Sequence, residues 1–297
     1  MRYKVSHIIR VDYDPPVRLA HFNLRLEPIA WPRQRVEDYE LAIEPLPDLR
    51  EERSGAYPFH LTRAEIVKPI ATLEVRSTFI ADVGEAELDL APGMTIAEVA
   101  RAAPAVRDIG LLSPAHYLFP SRLLPMVPEI TAWARPFLPA DGDCLNSALA
   151  LARTIQALFD YDTKATEADT PVAEAFAIRR GVCQDFAHVL IVALRAVGLP
   201  AAYVSGYLRT YPPPGQQRLV GADAMHAWVA VWCGPQRGWV GVDPTNGVLA
   251  SADHLVVALG RDYSDISPID GVFVGGASQK TFNSVDVSPI DTRVLAG

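Results

Sequence analysis

Residues 179–200, RRGVCQDFAHVLIVALRAVGLP, carry the strongest helical pattern in the chain. Apolar residues recur at helical spacing from Cys183 to Val197, and Gly198 with Pro200 then ends the predicted helix. Cys183 stands in the first turn on the same apolar stripe, where the free N–H groups of a helix N-terminus favour a thiolate. An inert cysteine on the buried face of a helix gives the same pattern. This stretch alone therefore leaves a nucleophile and a core thiol both open.

A cysteine nucleophile needs a base, and two histidines follow it in the sequence. His188 is five residues on, about 140° around the helix and about 7.5 Å along it, so it is not expected to reach Cys183. His226 opens the strand pattern HAWVAVW, which is followed by the turn-like CGPQRG and the second strand pattern WVGVDPTNG. Pairing of these strands places Asp243 opposite Trp228 and diagonal to His226. We expect one helix laid on this hairpin to bring Cys183, His226 and Asp243 together.

Three such residues suit thiol acyl-transfer chemistry. The histidine takes the thiol proton, the aspartate fixes the imidazole, and the sulfur attacks an acyl carbonyl. Taken singly, His226 also fits a structural strand histidine and Asp243 an ordinary turn residue. Their joint occurrence with Cys183 favours the catalytic interpretation.

The rest of the chain divides into a β-rich N-terminal part and a helical C-terminal part. Residues 3–83 show five short segments of period-2 alternation, separated by Pro, Gly and charged residues, which favours a sandwich. Prolines interrupt the stretch that follows, where Thr95 is a candidate helix cap. We predict a β-rich domain over residues 1–84, a packed connector over 85–128 and a catalytic domain over 129–297.

Two more helices are predicted in the catalytic part. The longer covers residues 141–161 and carries an apolar face at Leu145, Leu149, Ala152 and Leu158. Thr170 and Pro171 are predicted to start the shorter helix, and Gly181 to end it.

Composition and charge argue against several classes of protein. The chain has 297 residues, 49% of them hydrophobic, and its net charge of -8 gives no bulk attraction to nucleic acid or an anionic membrane. No stretch approaches the roughly 20 apolar residues of a membrane span, and the N-terminus lacks a signal-peptide run, which predicts a cytoplasmic protein. Cys144, Cys183 and Cys233 show no paired spacing, so each is expected to be a free thiol.

Four blocks of the sequence resemble the transglutaminase-like superfamily, in particular its prokaryotic members of the cysteine protease type. They are RRGVCQDFAHVLIVALRAVGLPAAYVSGYL, DAMHAWVAVW, GWVGVDPTNG and VALGRDYSDISPIDGVF, in that order. RYKVSHIIRVDYDPPVRLAHFNLRLEP is similar to the family's bacterial N-terminal region, although ERSGAYPFHL departs from the turn motif usual there. The resemblance implies an α+β, papain-like core with an N-terminal antiparallel β-sandwich. It also implies Cys183 as nucleophile, His226 as general base and then acid, and Asp243 as orienting residue.

Further residues are candidates for supporting roles. The backbone N–H of Cys183 is a natural oxyanion donor, and Gln184 and Tyr161 are candidate side-chain donors. Other residues of the matching blocks are candidates for the surroundings of the triad or the cleft, or for plain structural roles: Asp185, Trp228, Arg261, Asp262 and Tyr263.

The expected activity is thiol-dependent acyl transfer or hydrolysis at an amide bond of a peptide or glutamine-type substrate, through a thioester. Hydrolysis is favoured because the sequence shows no amine-acceptor site. The expected partner is a peptide or protein substrate; no metal, organic cofactor, nucleic acid or membrane is expected. Three alternatives stay open: crosslinking by a protein-glutamine γ-glutamyltransferase, a non-catalytic peptide-binding scaffold, and a zinc site built from the triad.

Overall fold

The computed structural model describes residues 1–85, 91–211 and 223–290. Its strands are β1 (Arg2–Leu24), β2 (Gln34–Glu44), β3 (Leu49–Ser54), β4 (His60–Ile66), β5 (Ile70–Val83), β6 (Asp160–Tyr161), β7 (Arg180–Gly181), β8 (Ala201–Leu208), β9 (Ala224–Trp232), β10 (Trp239–Asp243), β11 (Val248–Leu249), β12 (His254–Gly260), β13 (Ile269–Val274) and β14 (Ser278–Pro289). Its helices are α1 (Ile96–Ala102), α2 (Pro128–Ala134), α3 (Cys144–Leu158), α4 (Val172–Ile178), α5 (Cys183–Ala196) and α6 (Tyr263–Ile266). Short 3-10 helices cover Ala103–Ala105, Pro114–Tyr117 and Arg135–Phe137.

The N-terminal sandwich is built around the long strand β1, which takes part in both of its layers. The first half of β1 pairs antiparallel with β5 and β14, and the second half pairs antiparallel with β4 and β13. The register against β5 shifts between Asp12 and Val17, where β1 passes from one layer to the other. Buried side chains of both layers, including Ile9, Phe22 and Val75, form one cluster between them. The predicted antiparallel sandwich is confirmed, and the first two predicted segments prove to be a single strand.

The end of the chain returns to this sandwich. Strand β14 runs antiparallel to β1 from the pair Tyr3↔Pro289 to the pair Asp14↔Ser278. The predicted domain limits at residues 84 and 128 assign β14 to the catalytic domain, although β14 pairs with a strand of the sandwich. The limits themselves stay predictions. Residues 86–90 of the predicted connector, and residues 212–222 and 291–297 of the predicted catalytic domain, lie outside the described residues.

The second sheet has the strand order β11-β10-β9-β8-β12, and α5 packs against β8 and β9. Helix α5 begins at Cys183, as predicted, and every residue from Asp185 to Arg195 is buried. It is enclosed because α2, α3 and α4 pack on its other sides. Gly198 follows the helix with φ of 80°, a conformation that glycine adopts without steric cost. The periodic apolar pattern therefore predicted the central helix of the core correctly.

The cap of the connector helix α1 is also as predicted. Thr95 accepts a hydrogen bond from the backbone N–H of Glu98, and Glu98 accepts one from the backbone N–H of Thr95. Helix α3 is capped by Asp143, which accepts from the N–H of Asn146. One detail of α3 is wrong: Leu158, predicted on its apolar face, is 54% exposed. The buried face instead ends one turn earlier, at Ile155, because α3 itself ends at Leu158.

The predicted ends of the short helix α4 are corrected too. Its N-cap is Pro171 rather than Thr170, and it ends at Arg179, which adopts a left-handed conformation with φ of 54°, rather than at Gly181. The guanidinium of Arg179 lies over three aromatic rings, 3.8 Å from the centre of the Phe176 ring and 4.8 Å from those of Trp133 and Phe159. These cation–π contacts stabilise Arg179 in the left-handed conformation, which residues other than glycine rarely adopt.

None of the helices within the described residues is long and apolar enough to cross a membrane. All three cysteines are free thiols, as predicted. Cys144 and Cys233 are buried with their Sγ atoms 3.9 Å apart, whereas Cys183 is only partly buried.

Candidate active site

Cys183 is the first residue of α5, and Val182 is the N-cap of that helix. Because Val182 has no polar side chain, Asp185 takes part in the cap instead. Its Oδ2 accepts the N–H of Val182 at 2.8 Å and the hydroxyl of Thr166 at 2.7 Å. Burial raises the pKa of Asp185. The N–H of Cys183 has no acceptor inside the helix, so it is available to an oxygen bound beside the sulfur.

Gly181 is required by this cap rather than by the end of α4. A β-carbon at position 181 would lie 2.8 Å from Cγ of Asp185 and in steric conflict with its Oδ2. A side chain there would push Asp185 away from the N–H of Val182. The absence of a side chain at Gly181 therefore leaves room for the carboxylate of Asp185, which stabilises the turn before Cys183.

His226 lies on β9, and Asp243 is the last residue of β10. The two strands pair in the predicted register, which the pair Val242↔Val229 shows, so Asp243 is diagonal to His226. Nε2 of His226 is 2.9 Å from Oδ2 of Asp243. Cys183 lines the same cleft as this imidazole and acts on its pKa, and Nδ1 is the ring nitrogen that Asp243 leaves free. The structure thus brings together the three residues that the sequence analysis combined.

The imidazole of His226 is only 9% exposed. Burial opposes its charge, but the hydrogen bonds and charges of Asp243 and Cys183 outweigh burial and raise the pKa of His226 to about 10. The imidazole is therefore protonated at neutral pH. A protonated imidazole is the form that a histidine has after it accepts a thiol proton.

Asp243 is fully buried and accepts five hydrogen bonds. Oδ1 accepts the backbone N–H groups of Thr245 at 2.8 Å and Asn246 at 3.2 Å. Oδ2 accepts from His226, from Nδ2 of Asn246 at 2.7 Å and from Nε2 of His254 at 3.1 Å. Burial raises the pKa of Asp243, but these donors outweigh burial and hold it far below its ordinary value. The carboxylate is therefore ionised and fixed at both oxygens.

His254 is a second histidine on this carboxylate, and the sequence analysis does not single it out. Its Nδ1 accepts the backbone N–H of Ser251 at 3.2 Å, so the ring proton lies on Nε2, which donates to Asp243. His254 begins β12, which is separated from β10 by two strands in the sheet order. In the sequence, His254 is a histidine at the start of an apolar strand, and this pattern does not distinguish a residue of the site from a structural histidine.

The packing of α5 on the sheet differs from the prediction. The cluster of buried residues that contains α5 includes alternate residues of β9: Ala227, Val229 and Val231. Trp228 and Ala230 belong to a different cluster, and His226 shares their face by strand alternation. The expectation that α5 lies on the face carrying His226 is therefore wrong. Cys183 reaches the imidazole because it stands in the first turn of α5, near the beginning of β9.

Trp228 packs against two histidines of this hydrogen-bond network. Its ring stacks on that of His226, with centroids 6.1 Å apart and an interplanar angle of 26°. It meets His254 edge-on at 5.2 Å. Trp228 thus contacts both histidines that bond to Asp243.

The two candidate oxyanion side chains lie near the nucleophile but in different settings. Tyr161 pairs with Gly181 across the short strands β6 and β7. Burial and the nearby charge of Cys183 raise the pKa of Tyr161, so its hydroxyl keeps the proton that a donor needs. Gln184 donates its side-chain amide to the carbonyl of Ala168 at 2.8 Å. Of the two, Gln184 lines the cleft that contains Cys183, and both roles stay predictions.

Arg261 and Asp262 make structural contacts. Arg261 forms a two-pronged ion pair with Asp265, with distances of 2.9 and 3.0 Å. Asp262 is fully buried and caps α6 by accepting the N–H of Ser264 at 2.8 Å. These contacts match the structural alternative given for both residues.

Tyr263 lies at the cleft and is tied to His188. Its backbone N–H donates to Nε2 of His188 at 3.3 Å. His188 is buried against Tyr203, and burial lowers the pKa of His188 to about 4. His188 is thus an uncharged residue between helix and sheet, and it is not the partner of Cys183.

Cys183 and His226 open into a cleft of about 460 Å³. The catalytic core contributes one wall, with Tyr203, Met225 and Tyr263. The sandwich contributes the opposite wall, with Ile9, Thr281 and Asn283. The returning strand β14 therefore helps to form the site.

Among the described residues, one group of side chains converges as metal ligands would: His226, Asp243 and His254. It does not include Cys183, which the zinc alternative requires. Both histidines are hydrogen-bonded to the same oxygen of Asp243. This is the geometry of a hydrogen-bond network rather than a ligand shell, in which the lone pairs would all face one ion.

Two family models match this chain. Residues 131–244 match the core of the transglutaminase-like superfamily, and residues 3–82 match the bacterial transglutaminase-like N-terminal region. The chain belongs to the transglutaminase-like superfamily. An uncharacterized protein of Mycobacterium tuberculosis is 36% identical over 303 residues, covering 99% of this chain and 95% of that protein.

Two further relatives differ in how much they cover. A protein-glutamine gamma-glutamyltransferase of Pseudomonas aeruginosa is 41% identical over 90 residues, which are 29% of this chain and 13% of that enzyme. The crystal structure of a candidate cysteine protease from Cytophaga hutchinsonii matches with a TM-score of 0.74 at 22% identity, covering 98% of this chain and 92% of that one. This likeness confirms the predicted fold: a papain-like α+β core with an N-terminal β-sandwich.

Proposed function

We propose that this protein is a thiol-dependent hydrolase of amide bonds in peptides or proteins. The observation that carries the proposal is the chain of neighbouring groups from the thiol of Cys183 to the imidazole of His226, which is hydrogen-bonded to the buried carboxylate of Asp243. The first two residues of this chain line an open cleft. Membership of the transglutaminase-like superfamily supports the same chemistry.

In the proposed reaction, His226 holds the proton of Cys183, and the sulfur attacks the carbonyl carbon of the amide. The carbonyl oxygen becomes an oxyanion beside the N–H of Cys183, with Gln184 and Tyr161 as candidates for a second donor. His226 then gives its proton to the leaving nitrogen, the C–N bond breaks, and an amine and a thioester result. A water molecule loses a proton to His226 and attacks the thioester, which releases a carboxylate and restores the thiol.

Transfer of the acyl group to an amine is the second candidate. The match of 90 residues to a protein-glutamine gamma-glutamyltransferase favours it. The two activities share the thioester and differ only in whether water or an amine attacks it. A fluorescent primary amine added to the assay separates them, since only the transferase incorporates it into protein.

Trapping the acyl-enzyme tests the proposal directly. The protein and its Cys183→Ala variant are incubated with a peptide library, and intact mass spectrometry is used to find adducts on Cys183. We expect adducts and cleaved peptides with the native protein and neither with the variant. His226→Gln is expected to slow cleavage by about 100-fold or more, the lower range for loss of a general base.

Alkylation with iodoacetamide provides an independent measurement. Cys183 is expected to react before the buried Cys144 and Cys233, which serve as internal references. Equal reactivity of the three thiols, or no adduct dependent on Cys183, contradicts the proposal and favours a non-catalytic binding module.

A further inference from the structure

A second concave site lies behind the triad, on the face of the sheet opposite α5. This rear cavity has a volume of about 720 Å³ and includes in its lining Trp31, Arg33, Trp228, Arg237, Trp239 and Gly241. It shares none of its described lining residues with the cleft that contains Cys183. The rear cavity is therefore separate from the proposed substrate site.

The described lining of the rear cavity is positively charged in an acidic protein. The chain has a net charge of -8, yet the described lining residues include two arginines and no Asp or Glu. Arg33 donates to the carbonyl of Glu85 at 3.0 Å and has no carboxylate partner among the described residues. Arg237 donates to the carbonyl of Ala91 at 2.7 Å and lies 3.9 Å from Asp143, which is outside the cavity. Such a lining favours an anion.

One hydrogen-bond donor among the lining residues of the rear cavity makes no hydrogen bond to the described residues. The side chain of Trp228 is 1% exposed, and its Nε1–H makes no hydrogen bond within the described residues. The nitrogen lies beside Gly241 and Ala250, which also line the cavity: a β-carbon at position 241 would lie 3.3 Å from Nε1 of Trp228 and 2.5 Å from Cβ of Ala250. An indole N–H can only donate, so it is available to an acceptor atom in the cavity.

We propose that the rear cavity binds a small carboxylate that carries an aromatic ring. A carboxylate oxygen accepts the N–H of Trp228, and the charge of the carboxylate is balanced by the guanidinium of Arg33. The ring of the ligand packs between the indoles of Trp31 and Trp239. The volume lies within the range of roughly 300–1,000 Å³ typical of small-molecule sites. The ligand would contact Trp228, and Trp228 itself packs against both His226 and His254.

Calorimetric titration of the folded full chain tests this site. The probes are 3-phenylpropionate and its uncharged amide, 3-phenylpropanamide, which has the same ring and chain. We expect saturable binding of the acid and about tenfold weaker binding of the amide, the effect of losing a charge-assisted hydrogen bond. Cys183→Ala is expected to bind the acid as the native protein does, because the rear cavity is separate from the cleft.

Two variants with matched controls locate the binding. Arg33→Gln should weaken binding of the acid about twofold to fivefold, whereas Arg35→Gln, which changes an 80% exposed side chain outside the cavity, should not. Trp228→Phe removes the free N–H and should weaken binding about tenfold, whereas Trp133→Phe, also outside the cavity, should not.

No saturable binding, equal binding of acid and amide, or unchanged binding by Arg33→Gln overturns the proposal. So does loss of binding in Cys183→Ala, which would place the probe in the cleft. Arg33 is exposed at the mouth of the cavity, so its variant decides the question even if Trp228→Phe does not fold.

Discussion

Asp243→Asn is expected to destabilise this protein strongly, although it exchanges a single oxygen for an amide nitrogen. In the native protein Oδ1 accepts two backbone N–H groups and Oδ2 accepts three side-chain donors. An amide has one acceptor oxygen, so its NH2 group must face either two or three donors in a fully buried place. Each buried donor left without an acceptor costs about 1–3 kcal/mol. We therefore expect the free energy of unfolding to fall by about 2–6 kcal/mol, summing two such losses.

The loss should depend on pH, because the carboxylate of Asp243 helps to keep His226 protonated. The rise of the pKa of His226 from 6.5 to about 10 corresponds to about 5 kcal/mol at about 1.4 kcal/mol per pKa unit, shared between Asp243 and Cys183. A raised pKa stabilises the fold fully below the unfolded value, near 6.5, and this stability is lost as the pH rises through about 10. The lowered pKa of Asp243 acts in the other direction: its contribution is present above about pH 4 and is lost as the pH falls. The difference between native protein and variant should thus be largest between about pH 5 and 6.5 and should narrow towards about pH 10.

Urea unfolding followed by circular dichroism at about pH 6, 8 and 10 measures this difference. The matched control is Asp160→Asn, because Asp160 is 79% exposed and lies 3.7 Å from Arg180. The control is expected to change stability by less than about 1 kcal/mol. A loss below about 1 kcal/mol for Asp243→Asn, or a loss that is the same at all three pH values, would refute the reasoning.

Two other variants test the surroundings of the triad. Gly181→Ala places a methyl group against Asp185 and should lower stability by about 1–3 kcal/mol and slow alkylation of the nucleophile; Gly276→Ala, with no atom within 4 Å of the new β-carbon, should change neither. His254→Phe removes one donor from Asp243 and should cost about 1.5–3 kcal/mol in unfolding free energy at neutral pH. His254→Gln, which keeps a side-chain N–H, should recover part of that loss, and equal stability of the Phe and Gln variants would show that the donor is unimportant.

Local patterns predicted the parts of the fold that local forces determine. The apolar stripe of α5 is long and regular, so burial and propensity agree over Cys183–Ala196. The return of β14 has no such signature, because it pairs Tyr3 with Pro289 at the two ends of the chain. The sequence of β14 alternates and is largely exposed, and such a pattern does not identify the strand with which it pairs. Pairing between strands so far apart in the sequence depends on the tertiary structure of the whole chain rather than on local sequence patterns.

The same distinction holds within the candidate site. The hairpin that carries His226 and Asp243 is short, so its turn fixes the register, and their proximity follows from counting residues. His254 reaches Asp243 from a strand three positions away in the sheet order, and no spacing in the sequence indicates that contact. The role of Gly181 was also missed, because it depends on where the side chain of Asp185 turns.

Strand β9 separates the two concave sites and also links them. Its residues alternate between the cluster that contains α5 and the face that borders the rear cavity, where Trp228 lies. His226 has the alternation of the rear face, yet it meets Cys183, because it stands near the beginning of β9 at the first turn of α5. The imidazole therefore faces the cleft while its other side rests on Trp228. A change on the rear face can alter the position of the proposed base without touching a substrate, because two residues of the rear cavity contact the proposed triad: Trp228 packs on His226, and His254 is hydrogen-bonded to Asp243.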